Sequence, residues 1–252
     1  MCIILFSYKA TPGYRLVLAA NRDEFLARPT APLSRWGNNG EIFAGRDLQA
    51  GGTWLGITTK GRFGALTNYR EGPTGRASLK SRGELLVHFL EGEQDCAAFL
   101  DDLVPKAAQY NGFNLLLGDT ESMYYYSNRG GAPSSLKPGI HGLSNHLLNS
   151  SWPKVERGKL LFKRVLLQKS FSQEELFAVL ADTCEPDPDR LPQTGVGPEW
   201  ERLLSPIFIK SANYGTRSSA ILTISEQGHT VLRERTYPQG AGECLVDIEK
   251  RY

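Results

Sequence analysis

The second residue of the chain is a cysteine, whose thiol can act as a nucleophile. If Met1 is removed, Cys2 gains a free α-amino group beside that thiol. Such an amine has a pKa of about 8, so it can serve as the general base for the thiol of its own residue. The alternative is that Cys2 is a small apolar residue in a buried strand.

A run of four polar residues, Asn21-Arg22-Asp23-Glu24, directly follows an apolar stretch. Polar groups gathered at a strand end are typical of a site carried on a rigid scaffold. Asn21 can donate to an oxyanion, Arg22 can bind a carboxylate or lower the pKa of a thiol, and Asp23 can orient an ammonium group. The alternative is a turn with a surface salt bridge.

Asparagine and arginine recur at the ends of other predicted strands. These further candidates are Asn68 with Tyr69 and Arg70 directly after it, Asn145, and Arg217. Each position alone is equally typical of a turn. Together with Cys2 they provide a nucleophile, amide donors and cationic anchors, so we expect one shared pocket lined by Cys2, Asn21, Asp23, Asn68, Asn145 and Arg217.

The bulk composition is that of an ordinary globular protein. The 252 residues are 40% hydrophobic and 22% charged. The net charge of +2, from 29 basic and 27 acidic side chains, argues against nucleic acid or an anionic membrane as the main partner. The four histidines show no metal-ligand spacing, so we predict no metal site and no required cofactor.

The four cysteines, Cys2, Cys96, Cys184 and Cys244, are scattered along the chain. Without a close pair they predict free thiols in a reducing compartment. The apolar stretch at residues 3–6 is far too short for a signal peptide or a membrane span. We therefore expect a cytoplasmic protein without integral membrane association.

The chain is predicted to begin with a hairpin. Residues 2–7 and 15–20 are apolar and rich in β-forming side chains, and Thr-Pro-Gly at 11–13 is a turn signal. A hairpin returns the chain to its start, so we expect residues 21–24 to follow the second strand and to lie near Cys2.

Further elements follow from periodicity and from glycine and proline punctuation. Strands are expected at 41–44, 54–58, 62–67, 113–117, 123–127, 139–143, 216–225, 230–237 and 243–249. Helices are expected at 81–90, 95–104, 153–168 and 172–183, and loops at 25–40, 70–78 and 185–198.

Strands and helices thus occur in blocks along the sequence. This order disfavours a parallel sheet built from strand–helix–strand units. We therefore predict an α+β protein in which mostly antiparallel sheets are covered by helices. No composition change or repeat marks a domain boundary, so we expect a single domain over 1–252.

Several motifs in this sequence resemble those of the NRDE family, also called the transport and Golgi organisation family. The family string Asn-Arg-Asp-Glu is at 21–24, after Met-Cys-Ile-Ile at 1–4. Further matches are Trp-Gly-Asn-Asn at 36–39, Gly-Gly-Thr-Trp-Leu-Gly at 51–56, Ala-Leu-Thr-Asn-Tyr at 65–69, Tyr-Asn-Gly-Phe-Asn-Leu at 110–115, Gly-Leu-Ser-Asn at 142–145 and Tyr-Gly-Thr-Arg at 214–217.

The resemblance implies a four-layer αββα sandwich of the N-terminal-nucleophile hydrolase type. Within that superfamily the nearest likeness is to the choloylglycine and penicillin V acylase group. That likeness implies Cys2 as the nucleophile and Asp23 as the partner of its amine. It further implies Asn68 and Asn145 near the oxyanion and Arg217 as an electrostatic anchor.

One position departs from the acylase pattern, which has an arginine three residues before the aspartate. Here that position is Ala20, and the arginine is Arg22. We expect this shift to point the guanidinium to the opposite face of the strand, which disfavours acylase-type hydrolysis.

The resemblance also implies haem trafficking, in which haem moves between membranes and client proteins without being degraded. We therefore favour a haem carrier slightly over a cysteine amidohydrolase or thioesterase acting on a small amide or thioester, and rank an interaction scaffold last. Haem would be cargo, with haem-donor or client proteins as partners. Its rim candidates are Trp36, Trp54, Tyr69 and Arg70, and the expected ligand-binding set also includes Asn21, Arg22 and Glu24.

Overall fold

The computed structural model describes residues 2–38, 40–72, 79–119, 121–237 and 242–248, with backbone alone at 2 and 242–248. The chain divides into two compact units. The first consists of Met1–Ala27, Arg70–Thr74 and Pro138–Tyr252, and the second of Arg28–Tyr69 and Gly75–Lys137. A single domain over 1–252 stays a prediction.

Strands and helices follow one another in blocks along the chain. The strands are β1 Cys2–Thr11, β2 Tyr14–Phe25, β3 Thr30–Trp36, β4 Ile42–Asp47, β5 Leu55–Thr58, β6 Phe63–Asn68, β7 Phe113–Gly118, β8 Met123–Ser127, β9 Ser134–Ser135, β10 Gly139–Leu143, β11 Tyr214–Ser225, β12 Thr230–Thr236 and β13 Gly242–Ile248. The α-helices are α1 Arg82–Glu91, α2 Cys96–Leu103, α3 Pro153–Leu166, α4 Gln173–Leu180 and α5 Pro198–Leu203, and 3₁₀ turns are at Val104–Gln109 and Pro188–Arg190.

The first unit is built on an antiparallel sheet of strand order β10-β1-β2-β11-β12-β13. The predicted hairpin is confirmed, because β1 pairs with β2 in a register that sets Cys2 opposite Arg22. The expectation that the strand ends before Asn21 is wrong. β11 pairs with β2 as far as Phe25, so the backbone of the polar run belongs to the sheet.

One face of this sheet is covered by α3 and α4. Apolar side chains of β1 and β2 pack against those of the two helices in one cluster, which includes Ile3, Leu5, Val17, Phe162, Leu176 and Phe177. Residues 16–23 of β2 are buried without interruption. A strand buried on both faces loses the alternation of apolar and polar residues, which is why this polar run looked like a strand end.

The second unit contains the other antiparallel sheet, of order β3-β4-β5-β6-β7-β8-β9. Helices α1 and α2 supply Leu86, Phe89 and Leu100 to an apolar cluster that also holds Phe113 and Leu115 of β7. The predicted helical face of Leu85, Leu86, Phe89 and Leu90 is therefore confirmed as buried.

The loop predicted at 25–40 is wrong over much of its length, because it contains β3. This strand is at the sheet edge, and its pairing with β4 is irregular between Ala31 and Ser34. Pro32, between them, has no N–H to donate, and edge strands and irregularities tolerate proline. The short elements β9 and α5 also escaped prediction, since a few residues give too little periodicity.

Within the described residues, no helix is long and apolar enough to cross a membrane. In the same part of the chain, no three histidine, cysteine or acidic side chains are grouped as metal ligands.

The capping box predicted at the start of α4 is present. The Ser172 hydroxyl accepts from the Glu175 N–H at 3.3 Å, and the Glu175 carboxylate accepts from the Ser172 N–H at 2.8 Å. We expect Ser172→Ala to lower the free energy of unfolding by about 1 kcal/mol, measured by urea denaturation. Ser170→Ala, at an exposed position just before the helix, should change it much less. Equal effects of the two substitutions would contradict the cap.

Candidate functional site

Asn21 uses its side chain to hold β2 against the helical layer. Its amide nitrogen donates to the carbonyl oxygens of Leu180 and Ile207 at 2.8 and 2.9 Å. Its amide oxygen accepts from the Ser219 hydroxyl at 2.6 Å. Both amide hydrogens are therefore used within the fold, which does not leave them for the expected oxyanion.

Asp23 is buried and accepts hydrogen bonds at two different oxygens. Its Oδ1 accepts from the Thr216 hydroxyl at 2.7 Å, and its backbone oxygen accepts from the Tyr214 hydroxyl at 3.0 Å. Burial raises the pKa of this carboxyl, and the nearby charge of Lys154, the Thr216 hydrogen bond and the charge of Arg70 only partly oppose that. Asp23 is thus an acid held away from water among cationic groups.

Arg70 is buried in the same unit, with a side chain only 1% exposed. Its Nη1 donates to the Glu201 carboxylate at 2.6 Å, and its guanidinium lies 4.6 Å from the centre of the Trp152 ring. Burial lowers the pKa of Arg70, whereas the charge of Glu201 raises it. Its Nε and Nη2 have no hydrogen-bond partner among the described residues.

Two further charged side chains complete this group. Glu201 accepts from the backbone N–H and hydroxyl of Thr194 at 2.7 and 2.6 Å. Lys154 donates to the Leu204 carbonyl oxygen at 3.0 Å. We call Asp23, Arg70, Lys154 and Glu201 the buried charge cluster, and all four are at most 4% exposed.

Sequence reasoning missed Lys154 and Glu201. Lys154 is the second residue of a predicted helix, where a lysine is ordinarily solvated. Glu201 is paired with an arginine 131 residues away. No local sequence pattern indicates a pairing over such a distance. Only the knowledge that these positions are buried would have identified either residue.

Asn145 joins the charge cluster through its backbone. Its carbonyl oxygen accepts from the Arg70 N–H at 2.6 Å. Its fully buried side chain accepts from the Ser144 hydroxyl at 3.3 Å. The structure thus brings Asn145, Arg70 and Asp23, all predicted site residues, into one region of the first unit.

Arg217 and Glu24 both contact the end of β2. The Arg217 guanidinium donates to the carbonyl oxygens of Phe25 and Leu26 at 3.0 and 2.8 Å. The Glu24 carboxylate accepts from the Phe25 N–H at 2.9 Å. Arg217 is at an irregularity of the β2–β11 pairing, between Thr216 and Ser218. Its side chain therefore holds the backbone at the point where β2 ends.

Asn68, Trp54 and Tyr69 belong to the second unit. Asn68 is the last residue of β6 and pairs with Phe113, which confirms its expected place at a strand end. The ring of Trp54 packs on Gly45, where an added Cβ would lie 2.4 Å from it. The side chain of Cys2 is outside the described residues, so the shared pocket stays a prediction.

The expectation that Arg22 faces away from position 20 is wrong. Ala20 and Arg22 are two residues apart in a regular stretch of the β1–β2 ladder, opposite Ile4 and Cys2. Side chains alternate along a strand, so positions 20 and 22 share a face and Asp23 is on the other. The guanidinium is therefore displaced along the strand and remains on the same side of the sheet.

Cys96 can be set aside as a nucleophile. It is buried, and its thiol donates to the Asp119 carboxylate at 3.5 Å. Burial, followed by the charge of Asp119, raises the pKa of Cys96 to about 12. A thiol with so high a pKa is not ionised near neutral pH. Cys184 is an exposed free thiol.

The sequence model of the Transport and Golgi organisation 2 family matches residues 1–239. This chain belongs to that family. The mouse Transport and Golgi organization 2 homolog is 38% identical over 94% of this chain and 93% of its own length. The Drosophila melanogaster Transport and Golgi organization protein 2 is 27% identical over 94% of this chain and 92% of its own.

Two solved structures share the fold of this Transport and Golgi organisation 2 family member. The C2A mutant of the conjugated bile acid hydrolase from Clostridium perfringens has a TM-score of 0.52 at 9% identity, over 98% of this chain and 92% of its own. A Caenorhabditis elegans N-acylethanolamine-hydrolyzing acid amidase ortholog has a TM-score of 0.50 at 12% identity, over 94% of this chain and 100% of its own. The predicted α+β fold of the N-terminal-nucleophile hydrolase type is confirmed.

The raised pKa of Asp23 predicts how stability varies with pH. The folded state holds the Asp23 proton more tightly than the unfolded state does. The contribution of Asp23 to the free energy of unfolding therefore declines as pH rises above its ordinary pKa of 3.8. The Asp23→Asn variant has no ionisable group at this position and does not lose stability in this way. We expect the unfolding temperature of Asp23→Asn minus that of the wild type to increase from about pH 4 to about pH 8, measured by calorimetry.

Asp119→Asn is the control of opposite sign. Burial acts to raise the pKa of Asp119, but hydrogen bonds from the Glu121 and Ser122 backbone N–H groups outweigh it, and the net pKa is lowered. Ionised Asp119 therefore stabilises the folded state above its ordinary pKa, and this is lost on acidification. A difference for Asp23→Asn that stays flat, or falls as pH rises, would contradict the assignment.

Proposed function

We propose that this protein is an N-terminal cysteine hydrolase acting on a small acyl amide or acyl thioester. The observation that carries the proposal is the β1–β2 register, which sets Cys2 opposite Arg22, with the buried acid Asp23 next along the strand. Residues directly opposite in an antiparallel pair are close neighbours. A guanidinium near a thiol favours the reactive thiolate.

In this proposal the first step requires removal of Met1. The α-amine of Cys2 takes the thiol proton, and the thiolate attacks the carbonyl carbon of the substrate. The leaving amine or thiol takes that proton as the tetrahedral intermediate collapses to an acyl-thioester on Cys2. Water then attacks this acyl group, the carboxylic acid leaves, and the thiol is restored.

The remaining predicted residues have supporting roles in this proposal. Asn68 and Asn145 would donate to the oxyanion, and Asp23 would orient the ammonium form of the Cys2 amine. Because burial raises the pKa of Asp23, its carboxylate requires nearby positive charge, which that ammonium would add. Arg217 would act indirectly, through its hold on the end of β2.

The structural neighbours support this reaction class without defining the substrate. One is named as a conjugated bile acid hydrolase and was solved as its C2A mutant, so its second residue is also a cysteine. The other is named as an N-acylethanolamine-hydrolyzing acid amidase. The free thiols Cys96 and Cys184 support the predicted reducing, cytoplasmic setting.

The test combines intact mass with turnover of acyl N-acetylcysteamine thioesters, in which the released thiol is measured with Ellman's reagent. We expect purified protein to lack Met1 and to release thiol, and Cys2→Ala to lose that release entirely. Cys96→Ser, which keeps a donor to Asp119, is the matched control and should retain it. Turnover by Cys2→Ala at the wild-type rate, or protein that retains Met1 and releases no thiol, would contradict the proposal.

A haem carrier is our second candidate, and the geometry of Arg46 and Trp36 favours it. The exposed guanidinium of Arg46 lies 5.0 Å from the centre of the half-buried Trp36 ring. A cation beside an indole can hold a propionate while the ring contacts a macrocycle. Arg70, expected at such a rim, is buried against Glu201 and is poorly placed for this role.

The carrier is tested by titration of haem, followed by absorbance. We expect Arg46→Ala to weaken haem binding by roughly tenfold, because the substitution removes the cation that would hold a haem propionate. Arg35→Ala removes another exposed arginine, on the adjacent strand, which lies over Phe43 instead, and this variant should bind haem as the wild type does. Equal affinity of Arg46→Ala and Arg35→Ala would rule out this rim.

A further inference from the structure

A cleft of ≈ 390 Å³ opens beside the first half of α3, in the first unit. Its walls are residues 153–160 of α3, the segment around Glu185 and Pro186, and the stretch that holds Ser205 and Ile207. Small-molecule sites in proteins have volumes of about 300–1,000 Å³. We call this feature the α3 cleft, and its volume suits a small ligand.

The α3 cleft adjoins a much smaller cavity of ≈ 10 Å³. The two share four lining residues, which are Pro153, Lys154, Pro186 and Ser205. The small cavity is further lined by Arg70 and Trp152. A space of this size accommodates about one water-sized group, such as one oxygen of an acid head group.

The buried guanidinium of Arg70 makes the small cavity a place for an anion. Its Nη1 is bonded to Glu201, but its Nε and Nη2 have no hydrogen-bond partner among the described residues. Buried donors left unsatisfied destabilise a protein, and a ligand that accepts from them removes that cost. One carboxylate oxygen can accept charge-assisted hydrogen bonds from both of these groups, and Lys154, whose charge also acts on Asp23, lies at the same wall.

The walls of the α3 cleft indicate the rest of the ligand. Leu160 and Ile207 offer apolar surface. The cations at the rim are already neutralised, since Arg157 pairs with Asp182 and Arg190 pairs with Glu156. A second acidic group on the ligand would find no surplus charge there, so one acid group with a compact, partly apolar body fits these walls best.

We infer that the α3 cleft binds a small monocarboxylic acid. One oxygen of its carboxylate enters the small cavity beside Arg70 and Lys154, and its body lies in the cleft against Leu160 and Ile207. The inference does not rest on the proposed thiol chemistry. Binding of the acid is measured directly and turnover at Cys2 by thiol release, so the failure of one and the failure of the other are distinguishable results.

The probe is N-benzoylglycine, compared with its uncharged amide by isothermal titration calorimetry on the full-length protein. We expect saturable binding of the acid and at least about tenfold weaker binding of the amide, because only the acid supplies an anion to Arg70. Inorganic phosphate is titrated in parallel. Binding of phosphate with none of N-benzoylglycine would overturn the assignment of a carboxylate.

Two substitutions to tryptophan locate the site. Leu160→Trp fills the cleft, whereas Leu167→Trp adds the same ring at a solvent-exposed position near the end of α3. We expect Leu160→Trp to lose N-benzoylglycine binding by about tenfold or more, and Leu167→Trp to keep wild-type affinity. Wild-type affinity in both variants, or no saturable binding to the wild-type protein, would overturn the inference.

A paired substitution tests the head-group contact. Arg70→Met with Glu201→Gln removes both members of the buried ion pair, so no unpaired charge remains. We expect this double variant to bind the acid and its amide equally. Preference for the acid retained at the wild-type ratio would show that Arg70 is not its partner. Leu160→Trp leaves the ion pair intact, so the cleft stays testable if the double variant does not fold.

Discussion

The position of β2 between β1 and β11 is the constraint on which the first unit depends. Its backbone is paired with β1 from Tyr14 to Arg22 and with β11 from Tyr14 to Phe25. A strand bonded on both edges and buried along residues 16–23 cannot shift its register without moving every side chain to the other face. The places of Asn21, Arg22 and Asp23 are therefore fixed by the whole sheet.

The buried charge cluster depends on that rigid strand. Charges removed from water cost several kcal/mol each unless partners are held in good geometry. Glu201 meets this condition with Arg70 and Thr194, and Lys154 with the carbonyl of Leu204. Such a cluster adds little net stability, but it allows few alternative arrangements of the segments that carry it. It thus positions α3, α5 and the residues after β6 around the end of β2.

How far the sequence foretold this structure depended on whether the signals were local. The first hairpin was readable because Gly13, with φ of 79°, suits the turn that joins its strands. The helix start at Ser172 was readable from the capping pattern. β3 was missed because the arginine and proline residues in and around it are more typical of a loop than of a strand. The charge cluster was missed because its members meet only after folding, and the same holds for the α3 cleft.

The alternation of faces along β2 has a consequence for how this segment tolerates change. Asn21 bonds to the helical layer and Asp23 to Thr216, whereas Arg22, between them, faces the opposite side. One short stretch of chain thus places polar side chains on both faces of the sheet. A substitution there acts on one face at a time, but an insertion or deletion of a single residue would exchange the side chains of the two faces.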